Sequence, residues 1–446
     1  QGIEIETLTR EARVPGLTLY ATGAAPDDAA LPAGTWLVRA AQPIGRLARA
    51  VFEPDPQVSD IDTYDITAWS LPVSFGLDAG YADAAPTDLA TRPLTEFSPP
   101  PARLTGAGDA AILVDSRQHF FPRAVGLAVK HDLVARATGD AVTTADGAEF
   151  GPGSLIVHTI RNSPDSMSAF VRDCLDAGLS VHRVDTGMTA EGHVLGANDN
   201  GLFDLPRVLL LRGEPTFSNS AGSTWWLLDL EQRVPYTAIN ADALTRADLD
   251  KYNVLVVPEM FGSLGERATG AIKEWVRGGG TLVAIGAASD WAGRSILDIE
   301  PEPDRADDEP KPNTRTYAQR ERRSVENRVP GALLRARVDT THPLAAGMPE
   351  WIGVLKRSAR TLQMKDDAYV VARFADAAAP DAEPSLRLGG TVSLRNEQRI
   401  GGTPAVVHHR LGRGAVISFS DDPTFRAFHH AGMRLLMNAI IYGPSL

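Results

Sequence analysis

Short apolar segments alternate with helix-like segments over residues 207–291, and this alternation constrains the fold more than any other feature of the chain. RVLLLRG (207–213), NVLVVPE (253–259) and TLVAIG (281–286) are short, largely apolar runs. Between the last two, SLGERATGAIKEWVR carries its apolar residues at helical spacing. Strands that are apolar along their whole length are typical of a parallel sheet with helices on both faces. This stretch therefore predicts an α/β unit.

A similar order of segments occurs about a hundred residues earlier. AAILVDSR, GSLIVHT and LSVHRV are separated by helix-like sequences, and prolines at 99–101 precede them. We therefore predict an α/β fold of repeated flavodoxin-like units with parallel sheets, plus β-rich additions. The predicted parts are an N-terminal α/β segment (1–100), a first flavodoxin-like unit (101–205) and a second unit (206–446).

Residues 290–330 differ in composition from the rest of the second unit. The segment is charged, rich in proline and poor in apolar residues. We interpret it as a surface excursion and expect it to be the most protease-sensitive part of the chain. A functional lid is the alternative interpretation.

Charge and composition exclude several classes of function. The net charge is −12, which disfavours binding to nucleic acid through a basic face. No apolar stretch approaches the roughly 20 residues of a membrane helix. Cys174 is the only cysteine, so the chain has neither an internal disulfide framework nor a cysteine-based zinc site. Its spacing on a helix with Met167 and Phe170 predicts a core position rather than a reactive thiol.

Polar residues follow several of the predicted strands, at the edge where open α/β sheets place ligands. Glu214 follows the first strand of the second unit, Glu259 follows the next, and Ser289 and Asp290 follow the third. Asp422, preceded by Asp421, comes after the apolar run ISFS. We predict that these side chains line a ligand pocket, with capping and solvation as the alternative roles.

A catalytic set is not predicted. The turn after TLVAIG reads Gly286-Ala287-Ala288-Ser289-Asp290, and Ser289 lacks the flanking glycines of a nucleophile turn. No histidine has glutamate three residues later, so the helical zinc pair is missing. We predict no catalytic residue, no metal ligand and no cofactor.

Several sequence strings resemble known proteins. The strand order of the second unit resembles class I glutamine amidotransferases, in which a cysteine occupies the turn after the corresponding strand. LPAGTWLVRAAQPIGRLARAVFEP, VDTTHPLAAGMP and GRGAVISFSDDPTFRAFHHAGMRLLMNAIIYGP resemble the region C-terminal to the catalytic domain in large bacterial zinc carboxypeptidase-like proteins. The last strings also resemble the assembly-forming middle domain of some β-galactosidases. The carboxypeptidase resemblance implies an exported protein, periplasmic or extracellular, and transfers no catalytic residue to this chain.

The leading functional hypothesis is a non-catalytic C-terminal region that packs against the peptidase domain, shapes substrate access or mediates assembly. The chain begins Gln1-Gly2 on a strand pattern, so we expect a preceding domain. We further expect an apolar face around Trp36, Trp69 and Phe75 that a second chain or a homo-oligomer covers. The alternatives are a free-standing hydrolase with a degenerate amidotransferase-like pocket and a carbohydrate- or peptide-binding module that uses exposed tryptophans.

Overall fold

Small antiparallel sheets and two short helices form the regular structure described in the N-terminal hundred residues. The computed structural model describes residues 2–26, 29–56, 65–84, 86, 88–300, 314, 316–377 and 385–446. In the first hundred, the strands pair in the orders β5-β1-β7, β2-β4 and β3-β6. The elements are β1 (Glu6–Leu8), β2 (Ala12–Arg13), β3 (Thr18–Leu19), β4 (Ala30–Leu31), β5 (Trp36–Leu37), α1 (Gly45–Phe52), α2 (Leu71–Phe75), β6 (Gly80–Tyr81) and β7 (Thr91–Pro93).

The next part of the chain forms a six-stranded sheet in the order β16-β10-β13-β9-β14-β8, with the three-stranded sheet β12-β11-β15 beside it. The elements are β8 (Leu104–Gly106), β9 (Ala111–Val114), α3 (Phe121–Lys130), β10 (Ala135–Ala137), β11 (Val142–Thr144), β12 (Glu149–Phe150), β13 (Leu155–His158), α4 (Pro164–Asp176), β14 (Val181–Val184), β15 (Thr189–Glu191) and β16 (Leu202–Phe203).

Strand direction in this sheet differs from the prediction. Strand β9 runs antiparallel to both of its neighbours, β13 and β14, and among the described strands of the sheet only β8 and β14 pair in parallel. The predicted parallel sheet of the first unit is therefore wrong. Alternate residues of β9 enter two cores: Ile112 and Val114 face the helices, while Ala111 and Leu113 pack with Val142 of the small sheet. The continuous apolar run of β9 reflects burial on both faces of the sheet, and such burial is compatible with either parallel or antiparallel pairing.

The second unit is organised around a ten-stranded sheet in the order β18-β17-β19-β20-β26-β25-β23-β21-β22, with β24 paired to β21. Strands β18, β17, β19, β20 and β26 are parallel, and the others pair antiparallel. The elements are β17 (Val208–Arg212), α5 (Ser218–Trp226), β18 (Tyr236–Asn240), β19 (Val254–Val257), α6 (Glu266–Arg277), β20 (Thr281–Ile285), α7 (Ala287–Ser295), α8 (Tyr317–Glu326), β21 (Ala332–Val338), β22 (Trp351–Lys356), β23 (Tyr369–Phe374), β24 (Arg387–Gly389), α9 (Leu394–Ile400), β25 (Pro404–Leu411), β26 (Gly414–Phe419) and α10 (His430–Tyr442).

Helix α10 joins the two larger sheets in one core. It is apolar nearly all round, as expected for a helix buried between layers. The hydroxyl of Tyr442 donates a hydrogen bond of 2.8 Å to the carbonyl of Gly153, and Arg434 donates to the carbonyl of Ser116 at 2.5 Å. Burial raises the pKa of the Tyr442 hydroxyl, so it remains a neutral donor. These bonds connect the last helix to the six-stranded sheet.

Two further expectations concern particular segments. The excursion predicted at 290–330 contains the end of α7 and all of α8, while residues 301–313 and 315 lie outside the described residues. Cys174 is fully buried in α4, and burial raises its thiol pKa to about 12. The predicted core position of Cys174 is confirmed.

No helix in the described part of the chain is long and apolar enough to cross a membrane.

Candidate functional site

The carboxyl ends of β19, β20 and β26 lie side by side, and acidic residues follow each of them. Glu259 comes two residues after β19, Asp290 lies in the first turn of α7 after β20, and Asp421 and Asp422 follow β26. Because these strands are parallel neighbours, their ends meet at one edge of the sheet. We call this group of four carboxylates the acidic corner.

Arg360 connects two carboxylates of the acidic corner. Its Nε donates a hydrogen bond of 2.7 Å to Oδ2 of Asp290, and its Nη1 lies 3.8 Å from Oε1 of Glu259. Nη1 itself is buried and has no hydrogen-bond partner among the described residues. The guanidinium therefore compensates the charge of Asp290 and makes a weaker contact with Glu259.

A fully buried ion pair closes the inner side of the corner. The ammonium of Lys356, at the end of β22, contacts Oδ2 of Asp421 and donates 2.6 Å to the carbonyl of Arg360. The other oxygen of Asp421 accepts the backbone N–H of Arg357 at 2.9 Å. Burial lowers the pKa of Lys356, and the charge of Asp421 opposes that shift. The pair therefore compensates two charges that would otherwise be costly to bury.

Burial also raises the pKa of two other carboxyl groups of the acidic corner, those of Glu259 and Asp422. The pKa of Glu259 is raised, first by burial and then by repulsion from Asp421 and Asp422, while Arg360 opposes the rise. The pKa of Asp422 is raised by burial, against hydrogen bonds from Thr424 and Ser220 that favour its charged form. The hydroxyl of Thr424 donates 2.6 Å to Asp422, and the Ser220 hydroxyl accepts 3.1 Å from the N–H of Glu259. Asp421, Asp290 and Asp422 are thus engaged by close partners, whereas Glu259 keeps only its weaker contact with Arg360 among the described residues.

The turn from β20 into α7 has the backbone shape that presents a nucleophile in enzymes with a strand-turn-helix elbow. Gly286 has φ 58° and ψ −124°, a region that is essentially restricted to glycine unless the surroundings enforce it. A Cβ at this position would lie 2.9 Å from Oε1 of Glu259 and 3.1 Å from its Cγ. The space in which a nucleophilic side chain would project is therefore filled by the Glu259 side chain.

The remaining predicted site residues have other roles. Ser289 is buried inside α7, and its hydroxyl lies 2.9 Å from the carbonyl oxygens of both Ala284 and Phe419. It ties the helix to the ends of β20 and β26 and is not the N-cap of a helix. Glu214 is exposed after β17. The structure therefore brings together Glu259, Asp290 and Asp422 and places Ser289 beneath them as a structural hydrogen bonder. Glu214 is exposed at the start of a loop that pairs with the Glu259 loop through Thr216 and Met260.

Sequence reasoning missed the basic half of this site. Lys356 and Arg360 come from the antiparallel strand β22 and the loop after it, far along the chain from the acidic residues that they contact. An isolated lysine at the end of an apolar strand is the one signal that could have found Lys356, because a buried lysine requires a partner.

A second cluster of ligand-type side chains lies away from the acidic corner. The ligand atoms of His119, Glu231 and His430 all lie within 4.8 Å of one another. His119 precedes α3, Glu231 ends a π-helical turn (Leu227–Glu231) that extends α5, and His430 begins α10. Trp226, one of the two adjacent tryptophans in α5, packs edge-on to His430, whereas Trp225 is 43 % exposed.

Comparisons with known proteins yield weak structural similarity alone. No protein-family model matches the chain, and no curated protein matches its sequence. A cytoplasmic protein of Salmonella typhimurium is similar at 17 % identity and a TM-score of 0.31, over 52 % of this chain and 97 % of that one. A putative ThuA-like protein of Parabacteroides merdae is similar at 12 % identity and 0.32, over 54 % and 90 %. A β-galactosidase of Bacillus circulans is similar at 15 % and 0.28, over 56 % and 32 %. These similarities carry no inference about fold or function.

Proposed function

We propose that this chain is a non-catalytic, amidotransferase-like α/β region that packs against another folded domain. For that domain, the sequence resemblance suggests the peptidase domain of a zinc carboxypeptidase-like protein. The observation that carries the proposal is the turn at Gly286. The position that would hold a nucleophile has no side chain, and Glu259 fills the space beside it.

The charges of the acidic corner support the same proposal. A catalytic carboxylate must be free to exchange protons with a substrate. Here Asp421 is paired with Lys356, Asp290 is paired with Arg360, and Asp422 accepts two hydrogen bonds from Thr424. These contacts hold the sheet edge together and engage three of the four carboxylates of the acidic corner.

Exposed aromatic residues in the first hundred residues support the packing role. Trp36 is 52 % exposed and Phe97 is 61 % exposed, and their rings contact each other edge to face at 5.2 Å. Trp69 and Phe75 are 37 % and 40 % exposed. Large aromatic side chains are enriched at protein interfaces, because each buries much apolar area with few rotatable bonds.

Sedimentation velocity tests the packing proposal with the chain alone and mixed with a zinc carboxypeptidase-like catalytic domain. We expect a complex that the substitution Phe97→Asp weakens. The matched control is Ile160→Asp, because Ile160 is 93 % exposed but lies between β13 and α4. A self-associated form that Phe97→Asp disrupts would also support the interface. A monomer that binds nothing, or a complex equally sensitive to Ile160→Asp, would contradict the proposal.

A further inference from the structure

Three parts of the chain that are distant in sequence contribute one side chain each to the cluster of His119, Glu231 and His430. Nε2 of His119 lies 3.8 Å from Oε1 of Glu231, and the three ligand atoms are mutually within 4.8 Å. Two imidazoles and one carboxylate are a ligand set that proteins use for Zn²⁺, with a fourth position left open. In a tetrahedral site with bonds near 2.1 Å, neighbouring ligand atoms are about 3.4 Å apart. Binding would therefore draw these atoms together by at most about 1.4 Å.

The backbone around each ligand is held in place. The carbonyl of Gln118, next to His119, accepts 3.1 Å from Arg434, and the Gln118 side chain is bonded to the backbone of Ser180. The carbonyl of Glu231 accepts bonds of 2.9 Å and 2.7 Å from Arg123. A metal site needs ligands whose approach is fixed before the ion arrives, and these bonds meet that need.

The ring of His430 is held by contacts with two aromatic side chains. It stacks on Phe75 with centroids 4.5 Å apart and an angle of 19°, while Trp226 packs against its edge. The π-helical turn that carries Glu231 is the wide-turn geometry that often occurs at functional sites. Of the arginines near the cluster, Arg117 pairs with Asp115 at 2.7 Å, whereas Arg434 donates to backbone carbonyls and keeps its positive charge.

A cavity of about 220 Å³ adjoins the cluster. His119 and His430 line it, together with Arg117, Arg434 and apolar residues that include Met433 and Met437. His119 is 61 % exposed on its side chain, so the cluster can be reached from solvent. Water and small ions can therefore reach the two histidines from the cavity.

We propose that His119, Glu231 and His430 bind one divalent transition-metal ion, Zn²⁺ by the nature of the ligands. The ion would connect the loop before α3, the π-helical turn after α5 and the start of α10, and would so tie the six-stranded sheet to the second unit. This inference departs from the sequence-based expectation of no metal ligand, because spacing rules detect ligands on one element and these lie on three. It does not depend on the proposed packing role.

Zinc titration of the untagged, EDTA-treated chain by calorimetry tests the site, with metal content measured after dialysis. We expect saturation at one zinc per chain and a higher melting temperature with zinc than without. The substitutions His119→Ala, Glu231→Gln and His430→Gln should each weaken zinc binding by more than the roughly tenfold that loss of an outer-shell partner costs. Because His119 is mostly exposed, its alanine variant should fold normally, and circular dichroism of the zinc-free protein checks this.

The control variant is His193→Ala. His193 lies 3.7 Å from Asp140 and 3.6 Å from Asp199, so it is a comparable surface set of histidine and carboxylates outside the proposed site. Its replacement should leave zinc binding unchanged. Absence of saturable binding near one equivalent would overturn the inference, as would binding that is lost in His193→Ala and retained in His119→Ala.

Discussion

The buried pair of Lys356 and Asp421 should make a large contribution to stability that a double-mutant cycle can measure. Lys356 has no exposed side-chain surface, and Asp421 is 7 % exposed. Asp421→Asn removes the negative charge while keeping the shape of the side chain. The ammonium then retains the carbonyl of Arg360 and the Ser358 hydroxyl, but it loses the carboxylate that it contacts.

The expected cost follows from leaving one charge buried without its partner. Breaking a buried ion pair on one side costs about 3–5 kcal/mol. The double variant Lys356→Met with Asp421→Asn leaves no lone charge, so its cost should fall below the sum of the two single costs by about 1–3 kcal/mol. The surface pair of Arg337 and Glu350 is the control, since its side chains are 66 % and 52 % exposed at 2.8 Å. Arg337→Met should cost less than about 1 kcal/mol.

Urea unfolding gives these free energies from the midpoint, provided that the slope of the transition is the same for all variants. If Asp421→Asn cost no more than Arg337→Met, the pair would not be buried as described. Strict additivity of the two single variants would likewise show that Lys356 and Asp421 do not interact, and the ion pair described in the acidic corner would lose its support.

Three further predictions concern single positions. Gly286→Ala should destabilise the chain by about 1–3 kcal/mol, because alanine is strained at φ 58° and ψ −124°, whereas Gly270→Ala in the open middle of α6 should be neutral or stabilising by up to about 1 kcal/mol in urea unfolding. Cys174→Ser should cost about 1–3 kcal/mol, and the native thiol should resist a bulky labelling reagent until the chain unfolds; rapid labelling would contradict its burial. Hydrogen bonds from Lys130 and His131 lower the pKa of Asp173 from 3.8 to about 2, so its contribution to stability is present above about pH 4 and is lost as the pH falls towards 2. Asp173→Asn should therefore make the loss of stability in acid shallower, and an unchanged acid branch would contradict the assignment.

The sequence could predict the acidic half of the corner because one rule governs it. Side chains that follow parallel neighbouring strands meet at the carboxyl edge, so Glu259, Asp290 and Asp422 could be grouped before any coordinates. Glu214 also follows a strand of this set, and its side chain is exposed.

Strand direction and cross-chain partners lie beyond such local rules. The apolar sequences of β9 and β13 show that both faces of each strand are buried. Such burial occurs with parallel and with antiparallel neighbours, so it does not predict the direction of pairing. Lys356 and Arg360 reach the corner from an antiparallel strand whose position depends on the whole sheet order. The metal-ligand cluster forms because α10 packs against two layers at once and brings His430 close to His119 and Glu231. The spacing of residues within one element cannot predict this contact.

Turnover measurements on the unmodified chain decide whether it is catalytic. The chain should be assayed with glutamine, with peptides and with simple esters, alongside the variants Ser289→Ala and Glu259→Gln. The non-catalytic account predicts no hydrolysis above buffer for any of the three proteins, because Gly286 offers no nucleophile and Glu259 occupies the adjacent space. Hydrolysis by the unmodified chain that disappears in Ser289→Ala or in Glu259→Gln would contradict it.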